Sequence, residues 1–237
     1  MCVIIQNGRK ATDMNKIEVL YNENSYGINY QIFHPDNFED LPLLVYLHGA
    51  GERGKNINNL SRHGVPRLLE MGRQFNAVIL CPQCPDWCVW DNIVTTVKAL
   101  IDETAEKFNI KKDRICITGS SMGGFGTWMM GLTYNNFFSA IAPISGGGMS
   151  WRTPNLKTTP VLATHGTDDD LVPITYSELM VNAVNASGGN ARLISLSGQG
   201  HNDAINYAYE HTEVIEWILS QRRTSFEKTP EFCSEWF

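Results

Sequence analysis

The sequence has no long apolar run and no excess of basic residues. Its N-terminal letters, MCVIIQNGRK, turn polar after about four apolar residues, which is too short for a signal-peptide core or a membrane span. We therefore expect a soluble cytoplasmic protein with no membrane partner, the alternative being a secreted mature form whose leader has been removed. The net charge is -6 and the Lys and Arg residues are scattered, which argues against nucleic-acid binding.

Cysteine is also sparse, with six residues in a chain of 237. This number does not indicate a disulfide framework, and we expect reduced thiols. Cys81, Cys84 and Cys88 are close enough in sequence to suggest a zinc clip. A structural zinc site needs a fourth ligand and usually two paired ligand motifs, so we predict no metal and no organic cofactor.

The hydrophobic content of 43% is enough for one substantial core, and we predict a single domain over residues 1–237. Short apolar runs rich in β-branched residues alternate with longer segments of helical period, the clearest being residues 93–108. This pattern predicts an α/β fold, with a mostly parallel sheet of about eight strands and helices on both faces. Residues 17–33 predict an antiparallel hairpin at the sheet edge. The segment between residues 145 and 160 is too short for a lid domain. The strand predictions after the hairpin are residues 43–47, 77–81, 114–118, 140–144, 161–164 and 191–196.

A possible nucleophile, Ser121, lies in the sequence Gly-Ser-Ser-Met-Gly at residues 119–123. The motif G-x-S-x-G follows a predicted strand and precedes a helical segment, the arrangement of the nucleophile elbow of α/β-hydrolases. The sharp turn leaves no room for side chains two residues before and after the serine, which explains the glycines. Ser120 is the alternative, but it lacks the paired flanking glycines.

The apolar strand at residues 43–47 runs into His48-Gly49-Ala50. In this fold the loop after that strand supplies one backbone N–H of the oxyanion hole, and the residue after the nucleophile supplies the other. We assign these donors to Ala50 and Met122. His48 could be the catalytic base instead, but in this fold the base follows the nucleophile and the acid in sequence, so we favour a role in shaping the loop.

Three candidate acids follow the predicted strand at residues 161–164, in the sequence HGTDDDLVP. In many hydrolases of this fold the acid stands three residues after the glycine of His-Gly and three before Val-Pro, which selects Asp169. We expect Asp168 and Asp170 to be solvated turn residues.

His201 lies in a glycine-rich loop after the last predicted strand. The order Ser121, Asp169, His201 is that of α/β-hydrolase triads. The histidines at positions 34, 63, 165 and 211 do not follow a late strand in such a loop.

The chain resembles the small α/β-hydrolases grouped as predicted peptidases or dienelactone-hydrolase-like esterases, which are related to feruloyl and acetylxylan esterases. The residues that carry the resemblance are LHGAGERG (residues 47–54), Cys-Pro-Gln (81–83), Trp90, GSSMGGFGTW (119–128) and HGTDDDLVP (165–173). It implies an esterase acting on short acyl or phenolic esters, including those on plant polysaccharides. Dienelactone hydrolases proper have a cysteine where this chain has Ser121, which argues against cleavage of that lactone type.

We therefore predict a serine esterase that acts on short acyl, feruloyl or acetyl esters of plant carbohydrate. Trp87, Trp90 and Trp151 lie in loops expected to flank the serine. We predict that Trp90 and Trp151 line the substrate pocket, with hydrophobic packing under a loop as the alternative. A long-chain acyl thioesterase or lysophospholipase, a serine peptidase and a hydrolase-like binding protein are the alternative functions. The oligomeric state stays open, and the tail at residues 224–237 packs either across the body or onto a second subunit.

Overall fold

The computed structural model describes residues 14–226. Cys2, Cys233 and most of the C-terminal tail lie outside this range, so the predictions that concern them stay untested. The described chain forms an eight-stranded sheet with the strand order β1-β2-β4-β3-β5-β6-β7-β8. The strands are β1 (Asn15–Val19), β2 (Tyr30–His34), β3 (Leu43–Leu47), β4 (Val78–Pro82), β5 (Ile115–Ser120), β6 (Ile141–Ile144), β7 (Val161–Gly166) and β8 (Ala191–Leu196).

The first two strands form the predicted antiparallel hairpin at one edge of the sheet, and β2 also pairs antiparallel with β4. The remaining pairs, from β4 through β3, β5, β6 and β7 to β8, are parallel. The predicted fold class is therefore confirmed, and all six strands predicted after the hairpin are present with ends that differ by at most two residues.

Helices cover both faces of the sheet. Within β3, Leu43, Val45 and Leu47 face one hydrophobic core, whereas Leu44 and Tyr46 face the other, as the alternation of side chains along a strand requires. Helices α2, α3 and α4 contribute to the first core, and α1, α5 and α6 contribute to the second. The helices are α1 (Gly64–Glu70), α2 (Val94–Lys107), α3 (Met122–Thr133), α4 (Thr175–Ala186), α5 (His201–His211) and α6 (Val214–Ser220).

Between residues 145 and 160 the chain forms only a short 3₁₀ helix, Ser150–Leu156, in agreement with the predicted lack of a lid. Within residues 14–226, none of the helices combines the length and apolar character needed to cross a membrane. Because β3, β5, β7 and β8 run parallel, their carboxyl ends lie at the same edge of the sheet. His48, Ser121, Asp169 and His201 follow these four strands at this edge.

Candidate active site

Ser121 lies at the sharp turn between β5 and α3. Its backbone has φ 55° and ψ -120°, a left-handed conformation that a non-glycine residue adopts only under strain. A Cβ on Gly119 would lie 2.6 Å from the Leu47 carbonyl oxygen, and one on Gly123 would lie 2.7 Å from the His48 carbonyl oxygen. Both positions therefore require glycine, and the turn holds Ser121 half-buried at the sheet edge.

The structure brings Ser121, His201 and Asp169 into one chain of hydrogen bonds. His201 Nε2 lies 2.8 Å from Ser121 Oγ, and His201 Nδ1 lies 2.6 Å from Asp169 Oδ2. A carboxylate only accepts hydrogen bonds, so Nδ1 carries the proton and the neutral ring accepts the serine hydroxyl at Nε2. His201 is in position to take the proton of Ser121.

Backbone amides hold the carboxylate of Asp169. Its Oδ1 accepts hydrogen bonds from the N–H groups of Val172 (2.8 Å) and Leu171 (3.1 Å). Burial raises the pKa of Asp169, but the hydrogen bonds from the Val172 amide and from His201 outweigh burial and keep this pKa below its ordinary value. Asp169 is therefore ionised at neutral pH.

The alternative nucleophile, Ser120, and the alternative acids, Asp168 and Asp170, lie outside this chain of hydrogen bonds. Ser120 is buried and contacts the Tyr46 hydroxyl at 3.3 Å rather than a histidine. Asp168 and Asp170 are exposed, and Asp168 accepts a hydrogen bond from Thr167. One detail of the sequence prediction is wrong, because His201 is the first residue of α5 and not part of a loop.

The two predicted oxyanion donors lie at the first positions of helices. Ala50 begins a short 3₁₀ helix, Ala50–Glu52, and Met122 begins α3. Backbone N–H groups in the first turn of a helix have no carbonyl partner within that helix, so they are available to an anion. A Cβ on Gly49 would lie 3.6 Å from Ser121 Cβ, so the loop after β3 runs beside the serine.

His48 supports this loop and is locked in a neutral state. Its Nδ1 donates to the Gly49 carbonyl at 2.6 Å, and its Nε2 accepts from the Cys84 amide at 2.9 Å. Burial lowers the pKa of His48 to about 4. It cannot serve as the base for Ser121 while both ring nitrogens are engaged with the backbone.

The prediction that Trp90 lines the substrate pocket is wrong. Its side chain is 1% exposed, its Nε1 donates to the His48 carbonyl at 2.9 Å, and its ring packs edge-on against the His48 ring. A Cβ on Gly126 would lie 2.7 Å from Trp90 Cβ, so the indole is wedged between α3 and the loop after β3. Trp151 is 58% exposed in the 3₁₀ helix Ser150–Leu156, and its place in the pocket stays a prediction.

Two buried ionisable residues near the site were not predicted from the sequence to belong to it. His165, at the end of β7, is fully buried with Nε2 at 3.3 Å from Asp169 Oδ2. Glu52 is 2% exposed, lies 3.8 Å from His48 Nδ1 and 3.9 Å from His63 Nε2, and burial raises its pKa. His165 lies at the end of β7, four residues before Asp169, and Glu52 lies in a one-turn helix, four residues after His48. This spacing is the sequence signal that could have linked them to the site.

The three clustered cysteines do not form a metal centre with their neighbours. Cys84 and Cys88 have their Sγ atoms 3.8 Å apart, and Cys81 is buried within β4, where burial raises the pKa of its thiol. Across residues 14–226, no group of three or more His, Cys, Asp or Glu side chains is arranged to hold a metal ion.

An eight-stranded sheet with a strained serine after β5, an acid after β7 and a histidine after β8 defines the α/β-hydrolase class. The chain belongs to the phospholipase/carboxylesterase family, whose model matches residues 86–214, more than half of its length.

The chain is also similar to individual esterases and to one solved esterase structure. The chain is 28% identical over 156 residues to a bifunctional acetylxylan esterase/xylanase from Neocallimastix patriciarum, covering 63% of this chain and 22% of the relative. It is 27% identical over 140 residues to feruloyl esterase B from Neurospora crassa, covering 53% and 46% respectively. A crystal structure of a thermostable esterase superposes with a TM-score of 0.75 at 30% identity, covering 89% of this chain and 64% of that one.

The resemblance inferred from the sequence motifs is thereby confirmed. The chain nevertheless spans less than half the length of the two curated relatives.

Proposed function

We propose that this protein hydrolyses carboxylic esters through an acyl-enzyme on Ser121, and that its substrates are short acyl or feruloyl esters of plant carbohydrate. The observation that carries the proposal is the continuous chain of hydrogen bonds from Ser121 through His201 to Asp169, at 2.8 Å and 2.6 Å. The acetylxylan and feruloyl esterases among the relatives support the substrate class.

In the first half of the reaction, Ser121 Oγ attacks the acyl carbon while His201 Nε2 takes its proton. The ring is then an imidazolium, and the ionised Asp169 stabilises its charge through the bond to Nδ1. The N–H groups of Ala50 and Met122 are the donors for the negative charge that develops on the carbonyl oxygen. Fixed amide dipoles stabilise that charge without reorganising.

Collapse of the tetrahedral intermediate releases the alcohol, which takes the proton from His201 Nε2. In the second half, a water molecule replaces the alcohol, and His201 removes its proton as it attacks the acyl-enzyme. The second tetrahedral intermediate then expels Ser121 Oγ, which takes the proton from His201 Nε2, and the carboxylic acid leaves. The turn between β5 and α3 places Ser121 Oγ 2.8 Å from His201 Nε2, the nitrogen that moves the proton in both halves.

The test is the initial rate of hydrolysis of p-nitrophenyl acetate, p-nitrophenyl decanoate, methyl ferulate and acetylated xylan by the wild type and by Ser121→Ala. We expect turnover of the acetyl and feruloyl esters and a loss of roughly 10⁴-fold or more in the variant. Ser120→Ala is the matched control, because Ser120 contacts Tyr46 and not His201.

A preference for decanoate would replace the proposed substrate class with long acyl chains. Equal rates for the wild type and Ser121→Ala on every ester, in folded protein, would contradict the proposed function.

A further inference from the structure

Asp169 has a second histidine beside the carboxylate oxygen that holds His201. His201 Nδ1 lies 2.6 Å from Asp169 Oδ2, and His165 Nε2 lies 3.3 Å from the same atom. The side chains of His165 and Asp169 are fully buried. The proposed reaction uses His201 as its base and gives His165 no role.

The main partner of His165 Nε2 is the carbonyl oxygen of Val172, at 2.7 Å. A carbonyl oxygen only accepts hydrogen bonds, so Nε2 carries a proton. Val172 also donates its N–H to Asp169 Oδ1 at 2.8 Å. His165 therefore closes the turn that follows Asp169 from the carbonyl side, while the carboxylate closes it from the amide side.

The other ring nitrogen of His165 is held by α4. Its Nδ1 lies 2.7 Å from Ser177 Oγ, and this hydroxyl also lies 3.0 Å from the Gly146 carbonyl oxygen. The single hydroxyl proton bonds to Nδ1 when His165 is neutral. When His165 is doubly protonated, the hydroxyl donates to Gly146 and accepts from Nδ1–H instead.

We propose that His165 is a positioning residue for the reaction, because it fixes the turn at residues 169–172 and thereby aims Asp169 Oδ2 at His201. This inference rests on the proposed function, since it concerns the same triad. His165 does not touch Ser121 or the acyl group, and its effect passes through Asp169.

The neutral form of His165 suits this role. A charged His165 would place a second cation against the carboxylate that must stabilise the His201 imidazolium. Burial lowers the pKa of His165, which favours the neutral ring. The groups that face it are Asp169 and the Val172 carbonyl from the turn after β7, Ser177 from α4, the Gly146 carbonyl after β6 and His201 from α5.

The experiment compares His165→Leu, His165→Gln and Ser177→Ala with the wild type. Glutamine is the conservative variant, since its amide can donate to Val172 and accept from Ser177 without taking up charge. His211→Gln is the matched control, because His211 is an exposed histidine on the same helix as His201. Two readouts are the pH profile of kcat and KM on the ester that the wild type turns over, and the pH profile of Ser121 labelling by a fluorophosphonate. The third is the low-field proton resonance of the bond between His201 and Asp169.

For His165→Leu we expect kcat to fall by roughly 10-fold to 100-fold with KM unchanged, by analogy with the loss of residues that orient a catalytic ligand. A misaligned Asp169 stabilises the imidazolium less, so the acid limb of the labelling profile should move about 0.5 pH unit lower. The low-field resonance should broaden. His165→Gln should restore the limb and the resonance, and Ser177→Ala should shift both in the direction of His165→Leu to a smaller extent.

A fall in kcat with the acid limb and the resonance unchanged in His165→Leu would overturn the proposal, because a merely structural role predicts that pattern. If His165→Leu does not fold, Ser177→Ala decides: wild-type kinetics, labelling and resonance in that variant would also overturn it. Fluorophosphonate labelling needs no knowledge of the substrate. A wild type that is labelled at Ser121 but hydrolyses no ester contradicts the proposed function and still allows the His165 test.

Discussion

Two His-Gly dipeptides support the candidate site, one on the oxyanion side and one on the side of the acid, and their surroundings differ. His48-Gly49 follows β3 beside the predicted oxyanion donor Ala50, and His165-Gly166 ends β7 beside Asp169. Both histidines are fully buried, and burial lowers the pKa of both. Both ring nitrogens of the oxyanion-side histidine, His48, bond to backbone atoms, and a carboxylate oxygen of Glu52 lies 3.8 Å from its Nδ1. The acid-side histidine, His165, bonds to a serine hydroxyl and a backbone carbonyl, and its Nε2 lies 3.3 Å from Asp169 Oδ2.

This difference separates two kinds of support. On the oxyanion side, both ring nitrogens of His48 are committed to fixed backbone groups, so the ring holds a loop and is neutral at neutral pH. On the acid side, the Ser177 hydroxyl can reverse its hydrogen bond, so the network around His165 can accept a proton. The loop after β3 supplies fixed backbone dipoles for the oxyanion, and the turn after β7 supplies and orients the negative charge of Asp169.

The largest expected effect concerns the negative charge of Asp169. Asp169→Asn should lower kcat by roughly 10⁴-fold, because the amide favours the wrong tautomer of His201 and no longer stabilises the imidazolium. This factor corresponds to about 5.5 kcal/mol of transition-state stabilisation. The measurement is kcat on the ester that the wild type turns over best.

The neighbouring acids provide the controls for that measurement. Asp168→Asn and Asp170→Asn remove exposed carboxylates that make no bond to His201, so their kcat should stay near the wild-type value. A loss in Asp168→Asn or Asp170→Asn comparable with that in Asp169→Asn would show that the acid side has been assigned to the wrong residue.

A smaller effect should appear in stability against pH. The pKa of His48 is about 4 in the folded protein against an ordinary value of 6.5. Its contribution to stability is therefore complete above pH 6.5 and is lost as the pH falls toward 4, because the unfolded chain binds the proton first. Over this interval the loss is roughly 3 kcal/mol in the free energy of unfolding. Burial lowers the pKa of His165 and adds to the loss, whereas burial raises the pKa of Glu52 and opposes it.

Urea unfolding at several pH values between 4 and 7 measures this dependence. His48→Gln should flatten it, because the amide can donate to Gly49 and accept from Cys84 without titrating. His211→Gln should keep the wild-type slope. An unchanged slope in His48→Gln would mean that the oxyanion-side histidine does not remain neutral through burial.

The next effect tests whether Trp90 belongs to the oxyanion-side support. Trp90→Phe keeps most of the packing but removes the hydrogen bond to the His48 carbonyl, so the free energy of unfolding should fall by about 1 kcal/mol. The ratio of kcat/KM for feruloyl and acetyl esters should not change, because the indole is buried away from solvent. A changed ratio with unaltered stability would return Trp90 to the pocket.

Trp90 also shows where inference from the sequence stops. The strands and the order of Ser121, Asp169 and His201 were predictable, because hydrophobic alternation and glycine-dependent turns depend on nearby residues. Whether the Trp90 ring faces a pocket or the core depends on the distant Gly126, which leaves room for the indole. The contact between His165 and Asp169 likewise depends on Ser177 and Gly146, which the sequence does not place together.

The smallest expected effect on stability concerns Trp151, which lies outside both supporting loops and is 58% exposed. Trp151→Ala should change the free energy of unfolding by no more than about 0.5 kcal/mol, as is usual for surface substitutions. If the indole stacks on an aromatic acyl group, the variant should raise KM for methyl ferulate several-fold, which corresponds to about 1 kcal/mol of stacking, and leave KM for p-nitrophenyl acetate nearly unchanged. Trp87→Ala is the comparison, since Trp87 is another exposed indole, 76% exposed in the loop after β4, and its loop is also expected to flank the serine. Equal KM values for methyl ferulate in the wild type and Trp151→Ala would remove Trp151 from the pocket, and substrate preference would then depend on other residues around Ser121.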